Sequence, residues 1–167
     1  VDSSLVLAFA RIESRFQVSA TSPVGARGLM QIMPGTAAYI SGDDGYLGAK
    51  RNLLNDPRVA LSLAQDYIRH LLDTDDIDGN LFFVLAAYNG GPGNLRKWLD
   101  AGVGIDDPLL FIETIPSRET RFFVERVMAS YWMYRLRLGD RTPSLDMVAS
   151  GSWPLYADEE TTTLARN

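Results

Sequence analysis

A single carboxylate interrupts the apolar side of the first helical stretch. In "RIESRF", residues 11–16, Glu13 occupies a position where the periodicity asks for a buried side chain. Projecting residues 5–16 at about 100° per residue puts Leu5, Val6, Phe9, Ile12 and Phe16 on one arc. Glu13 falls inside that arc, between Phe9 and Val6, while Arg11, Ser14 and Arg15 fall outside it. A carboxyl group on an apolar face is desolvated, which disfavours its charged form and raises its pKa. A glutamic acid held protonated near neutral pH can act as a general acid. The ordinary alternative is a helix-edge glutamate paired with an arginine.

Little other catalytic chemistry is open to the chain. It has no cysteine and one histidine, so thiol nucleophiles, disulfides, zinc sites built on Cys or several His, and most His-based triads lack their parts. His70, in "DYIRHLLD", reads as a structural or surface residue on a helix. A net charge of -5 argues against a nucleic-acid partner, whose footprint is a basic patch. Carboxylate, hydroxyl and amide chemistry remains, and neither a metal nor a cofactor is expected.

The elements that must position Glu13 are helical almost throughout. "DPRVALSLAQDYIRHLLD" (56–73) opens with Asp56 as N-cap and Pro57 at the first helical position. It then sets Leu63, Tyr67, Leu71 and Ala60, Ala64, Ile68 at three- and four-residue steps. "LFFVLAAYNGGPG" (81–93) is apolar on all sides until Asn89-Gly90-Gly91-Pro92 stops it, the pattern of a buried helix with a glycine exit. A long helix starts at Pro116-Ser117 and ends on Gly139, with Phe123, Val127, Tyr131 and Tyr134 on one stripe. No segment alternates over enough residues to make a major sheet, so the fold is mainly α.

Residues 17–28 and 41–52 read as long loops, which in a compact domain are more often functional than idle. With 167 residues, 46% of them hydrophobic, the chain fits one domain with a real core. It contains no apolar run long enough to span a membrane and no signal-peptide pattern. Because it opens almost directly on a helix, it reads as a domain excised from a longer precursor. "SWPLY" (152–156) is an aromatic plug or a saccharide-stacking edge, the plug fitting better, and "DEETTTLARN" (158–167) reads as solvated or disordered.

Several motifs occur together in order: "ESRF", "SPVGARGLMQIMPGTA", "AAYNGGPG" and "IPSRETRFFVERVMASY". This set resembles the soluble lytic murein transglycosylases, the goose-lysozyme-like branch of the lysozyme superfamily, over roughly residues 1–134. The resemblance implies a lysozyme-like α-helical fold with a saccharide groove. It implies cleavage of the β-1,4 bond between N-acetylmuramic acid and N-acetylglucosamine in peptidoglycan without water, leaving 1,6-anhydromuramoyl ends. Glu13 matches the family's catalytic glutamate, acting first as acid and then as base.

The same resemblance places Ser22, Gln31 and Met33 in the saccharide groove, and Ala87, Tyr88 and Asn89 near the catalytic centre. Glu119, which the helix N-terminus alone would explain, borders the site without being catalytic. It further implies a periplasmic or cell-envelope location and a monomeric catalytic domain over residues 1–139 of a larger protein. Residues 140–167 would then be an extension, partly docked and partly disordered. One departure stands out: where the family has Asn-Ile and Gly after the Asp-Pro, this chain reads "DPRVALSLAQ". Two other functions stay open, a water-using muramidase with Asp43, Asp44 or Glu119 as the second carboxylate, and a non-catalytic peptidoglycan-binding module.

Overall fold

Asp2 starts the first helix by accepting a hydrogen bond from the Ser4 N–H at 2.7 Å, and α1 runs over Ser3–Ser14. It stops there because Arg15 turns left-handed, with φ of 53°, and its N–H closes on the carbonyls of Ala10 and Arg11. Phe16 follows with φ of 65° and is swung into solvent. The helical projection through Phe16 therefore overruns the helix by two residues, since a left-handed turn at non-glycine residues leaves no mark in the hydrophobic pattern. The rest of the arc faces inward: Leu5 and Phe9 are fully buried, and Val6 and Ile12 are partly buried against the core.

A computed structural model describes residues 1–104 and 106–157, so the expectation for residues 158–167 lies outside the described residues. After α1 come α2 (Pro34–Ser41), two short 3-10 turns (Asp44–Leu47 and Arg51–Asn55), and α3 (Pro57–Leu72). Then follow α4 (Leu81–Gly90), α5 (Pro92–Asp100), α6 (Pro108–Thr114), α7 (Arg118–Leu138) and α8 (Pro143–Ala149). The fold is mainly α, and among the described residues β pairing is confined to isolated bridges. No helix among them is long and apolar enough to cross a membrane.

The stronger helix signals read from sequence are realised. Asp56 accepts from the Arg58 N–H at 2.8 Å ahead of Pro57, and Ala60, Leu63, Ala64, Tyr67, Ile68 and Leu71 form the buried side of α3. Ser117 caps α7 through the Thr120 N–H, and Gly139 ends it in the left-handed conformation that glycine adopts without a steric cost. The histidine, His70, lies exposed on α3 with its Nε2 3.4 Å from the Tyr39 hydroxyl.

The 21 residues of α7, about 31 Å of helix, form the spine against which α1 and α4 pack. Its C-terminal end is pinned to the start of α1 by a buried ionic knot. Asp2 pairs with Arg135 and accepts from the Tyr131 hydroxyl at 3.1 Å, and its own N–H donates to the Tyr156 hydroxyl at 2.7 Å. Residues 152–156 return as a plug. Trp153 packs on Phe83 and Phe111, while the Pro154 carbonyl accepts from the Leu81 N–H and the Tyr156 N–H donates to the Gly79 carbonyl, each at 2.8 Å.

Candidate active site

The last turn of α1 meets α7 and the end of α4 around an open cavity of about 380 Å³. Ile12 and Glu13 line it from α1, Ser22 and Gln31 from the loop after α1, and Asn89 from α4; Glu119, Phe122, Phe123 and Arg126 come from α7. The wall beneath Glu13 is aromatic. One turn below it Phe9 is fully buried, with its ring 4.6 Å from that of Tyr88 and 5.9 Å from that of Phe123. The Tyr88 and Phe123 rings lie parallel within 3°, and Tyr67 closes the stack 5.4 Å from Tyr88.

In that setting burial pushes the Glu13 carboxyl up to about 8, and the negative charge of Glu119 pushes it in the same direction. Its place in the final turn of α1, at the negative end of the helix dipole, also disfavours ionisation. Among the described residues Glu13 makes no ion pair, so the arginine-paired alternative is not realised. Glu13 thus has the protonation a general acid needs at neutral pH.

The loop wall is held by its own hydrogen bonds. Gly28, at φ of 75°, lies so close to Leu54 that a Cβ would come within 1.9 Å of the Leu54 carbonyl oxygen; no other residue fits there. Its carbonyl and that of Ala20 accept from Gln31 Nε2 at 2.9 and 3.1 Å. Both amide hydrogens of Gln31 are thereby committed, and the amide's remaining polar atom is the acceptor Oε1. Gln31 itself sits at φ of 46°, a strained backbone of the sort that clusters at functional positions. The Ser22 Oγ accepts from the Ala26 N–H at 3.0 Å, which leaves its hydroxyl hydrogen to donate.

From the other side, the buried Thr120 fixes Asn89. Its Oγ1 donates to Asn89 Oδ1 at 2.8 Å and lies 2.9 Å from the Ser117 Oγ, so the Asn89 amide nitrogen is left as a donor. The remaining residues expected at the site stand apart. Met33 is an exposed residue at the N-cap of α2, and Ala87 is fully buried; neither lines the cavity. Tyr88 lies underneath, its hydroxyl donating to the Met30 carbonyl at 2.8 Å, and burial raises its pKa well above the ordinary value. The phenol's hydrogen is spent on the loop rather than held out to a ligand.

Asp43 and Asp44 lie outside the cavity lining. Asp43 pairs with Lys50 and accepts from the Gly45 N–H, and these bonds hold its carboxyl below the usual range. Glu119 is therefore the second carboxylate on the cavity wall. Read from spacing alone, Ile12 and Phe123 belong to the core, and nothing marks Phe122 or Arg126. The signal that could have found them is the i, i+3, i+4, i+7 spacing that runs from Glu119 along one face of α7.

Similarity to known proteins converges on one group. The soluble lytic murein transglycosylase of Escherichia coli K12 is 38% identical over 144 residues, covering 84% of this chain and 22% of the relative. A structure of the 70 kDa soluble lytic transglycosylase in complex with bulgecin A superimposes with a TM-score of 0.77 at 36% identity, covering 93% of this chain and 25% of the other. An inactive glutamate-to-glutamine mutant of a lytic transglycosylase from Pseudomonas aeruginosa superimposes with a TM-score of 0.73 at 37% identity, covering 86% and 23%. The chain thus spans under a quarter of the length of the K12 relative. The family model described as the transglycosylase SLT domain matches residues 1–104, which carry Glu13, the Ser22–Gln31 wall and Asn89, and the chain belongs to that family.

Proposed function

We propose that this chain is the catalytic domain of a periplasmic or envelope lytic murein transglycosylase that cleaves the glycan strand of peptidoglycan between N-acetylmuramic acid and N-acetylglucosamine. The observation that carries the proposal is Glu13: a carboxyl on an aromatic floor, raised to about 8, unpaired among the described residues, and facing a cavity open to a saccharide. Protonated Glu13 gives its proton to the glycosidic oxygen, which leaves with the glucosamine as a hydroxyl. The muramyl N-acetyl oxygen stabilises C1. The Glu13 carboxylate then takes the proton of the C6 hydroxyl as that oxygen bonds to C1, so the 1,6-anhydro ring closes, Glu13 is regenerated and no water is consumed.

Around that step Ser22 and Asn89 offer donors to sugar hydroxyls and acetamides, and Gln31 offers an acceptor. Glu119 supports the raised pKa of Glu13 from across the cavity. Met33, Ala87 and Tyr88 serve the site from outside its wall, Tyr88 by holding the Met30–Gln31 segment. Residues 1–139 would form the catalytic domain and residues 140–167 an extension of it, within a larger protein.

A second reading, the hydrolytic muramidase, is favoured by one observation: Glu119 shares the cavity with Glu13 and could activate a water. Digestion of purified peptidoglycan separates the two. Elimination releases muropeptides with 1,6-anhydromuramic acid ends, lighter by one water than hydrolytic products and unchanged by borohydride. Reducible muramic acid ends in the mass spectrum would establish the muramidase instead.

A further inference from the structure

Cleaving an uncharged glycosidic bond does not require the cationic feature on the α7 wall of the cavity. Phe122, a large aromatic with more than a third of its surface exposed, is bracketed by two arginines. The guanidinium carbon of Arg118 lies 5.2 Å from the ring centroid and that of Arg126 lies 5.7 Å from it. These three residues are spaced i, i+4, i+8, a single stripe of the helix, and Phe122 and Arg126 line the same cavity as Glu13.

Neither arginine makes an ion pair among the described residues, so neither guanidinium is already occupied by a carboxylate. A guanidinium stacked on an aromatic face keeps its in-plane N–H groups available, and their fork matches a carboxylate. Glu119 stands on the same helix seven residues before Arg126, about 10 Å away along the axis. An anion on the saccharide is thus repelled at the Glu13 end and attracted at the Arg126 end, so the pair of charges can fix its register.

We propose that Arg126 and Arg118, stacked on Phe122, form a subsite for a carboxylate carried by a substituent of the saccharide. This proposal rests on the function given above, because the muramic residues of peptidoglycan carry such a group. It comes either from the lactyl ether itself or from the peptide attached to it. Binding there would place successive muramic residues relative to Glu13.

Calorimetric titration tests it on a Glu13→Gln background, which keeps the probes intact. Three probes differ in the carboxylates they carry: tetra-N-acetylchitotetraose has none, a stem-free tetrasaccharide of alternating N-acetylglucosamine and N-acetylmuramic acid has lactyl carboxylates, and the same tetrasaccharide with peptide stems, whose lactyl carboxyls are tied up as amides, has those of the peptide. A carboxylate-bearing probe should bind about tenfold tighter than the uncharged probe, and less so as salt rises. The double variant Arg118→Ala/Arg126→Ala should erase that difference; because Arg126 lines the cavity, the readout is the ratio of the two affinities and not the absolute affinity for the uncharged probe. Which probe responds identifies the carboxylate's source. Equal losses on all three probes, or no loss on any, overturn the subsite while leaving the glycan-cleaving function in place. Failure to bind any of the three overturns both.

Discussion

Glu13 is a carboxyl group whose environment, not its chemistry, makes it unusual, and pH is the variable that exposes this. Its pKa rises from 4.5 to about 8 on folding, so between those values the folded chain holds a proton that the unfolded chain has released. Stability therefore falls as pH climbs through that window, by at most about 1.4 kcal/mol per pH unit, and this group contributes no slope below 4.5 or above 8. Glu13→Gln removes the loss: its melting temperature should match wild type at acid pH and exceed it increasingly from pH 4.5 to 8. The same substitution should lower turnover by roughly 10²–10⁴-fold, as expected for losing an acid-base group. For the wild type, kcat/KM should fall above about pH 8, where the free protein loses the catalytic proton. Wild-type cleavage by the glutamine variant would remove Glu13 from the chemistry. That Glu13 belongs on an apolar face was legible in sequence, because the 3.6-residue period alone places it between Phe9 and Val6. The state of Gln31 was not, since its amide hydrogens are consumed by carbonyls 11 and 3 residues away that only the folded loop brings together.

Single elements reach the site mostly by supporting one another. Tyr88 shows this: it sits on α4, yet its hydroxyl grips the Met30 carbonyl next to Gln31, and its ring underlies Glu13 in the stack with Phe9 and Phe123. Tyr88→Phe keeps the ring and leaves a carbonyl without its partner, so unfolding in urea should show a loss on the order of 1 kcal/mol. Turnover should drop less than for Glu13→Gln, because the acid is untouched and only the loop wall is loosened. Unchanged stability with a full loss of rate would show instead that the phenol meets substrate directly. The helices that carry strong end signals, α3 with Asp56-Pro57 and α7 with Ser117 and Gly139, were readable beforehand. Short α5 and α6 were not, since each begins at a proline that reads equally well as a turn and neither is long enough to show a period. Phe122 and Arg126 carry no mark in the sequence for a related reason. An exposed stripe on a long helix resembles any solvated face until α1 and α4 are packed beside it.

At the level of the whole molecule, the buried pair of Asp2 and Arg135 joins the beginning of α1 to the spine. Asp2→Ala leaves a guanidinium buried without its partner, and the cost should be roughly 3–5 kcal/mol in a denaturant titration. The cavity lies about 18 Å away at the other end of α1, so at a temperature where the variant stays folded its cleavage rate should be close to wild type. The knot has a topological consequence as well. Because the Asp2 N–H reaches the Tyr156 hydroxyl, the two ends of the described chain meet at one corner, and the path of the polypeptide is nearly a closed ring. Such a ring can be cut elsewhere. A circular permutant that joins residue 157 to residue 1 through a short glycine-serine linker and opens at the exposed Gly48 should fold cooperatively and still cleave glycan. For the same reason, tension applied through flanking segments would enter and leave at that corner and bypass the wall that holds Glu13.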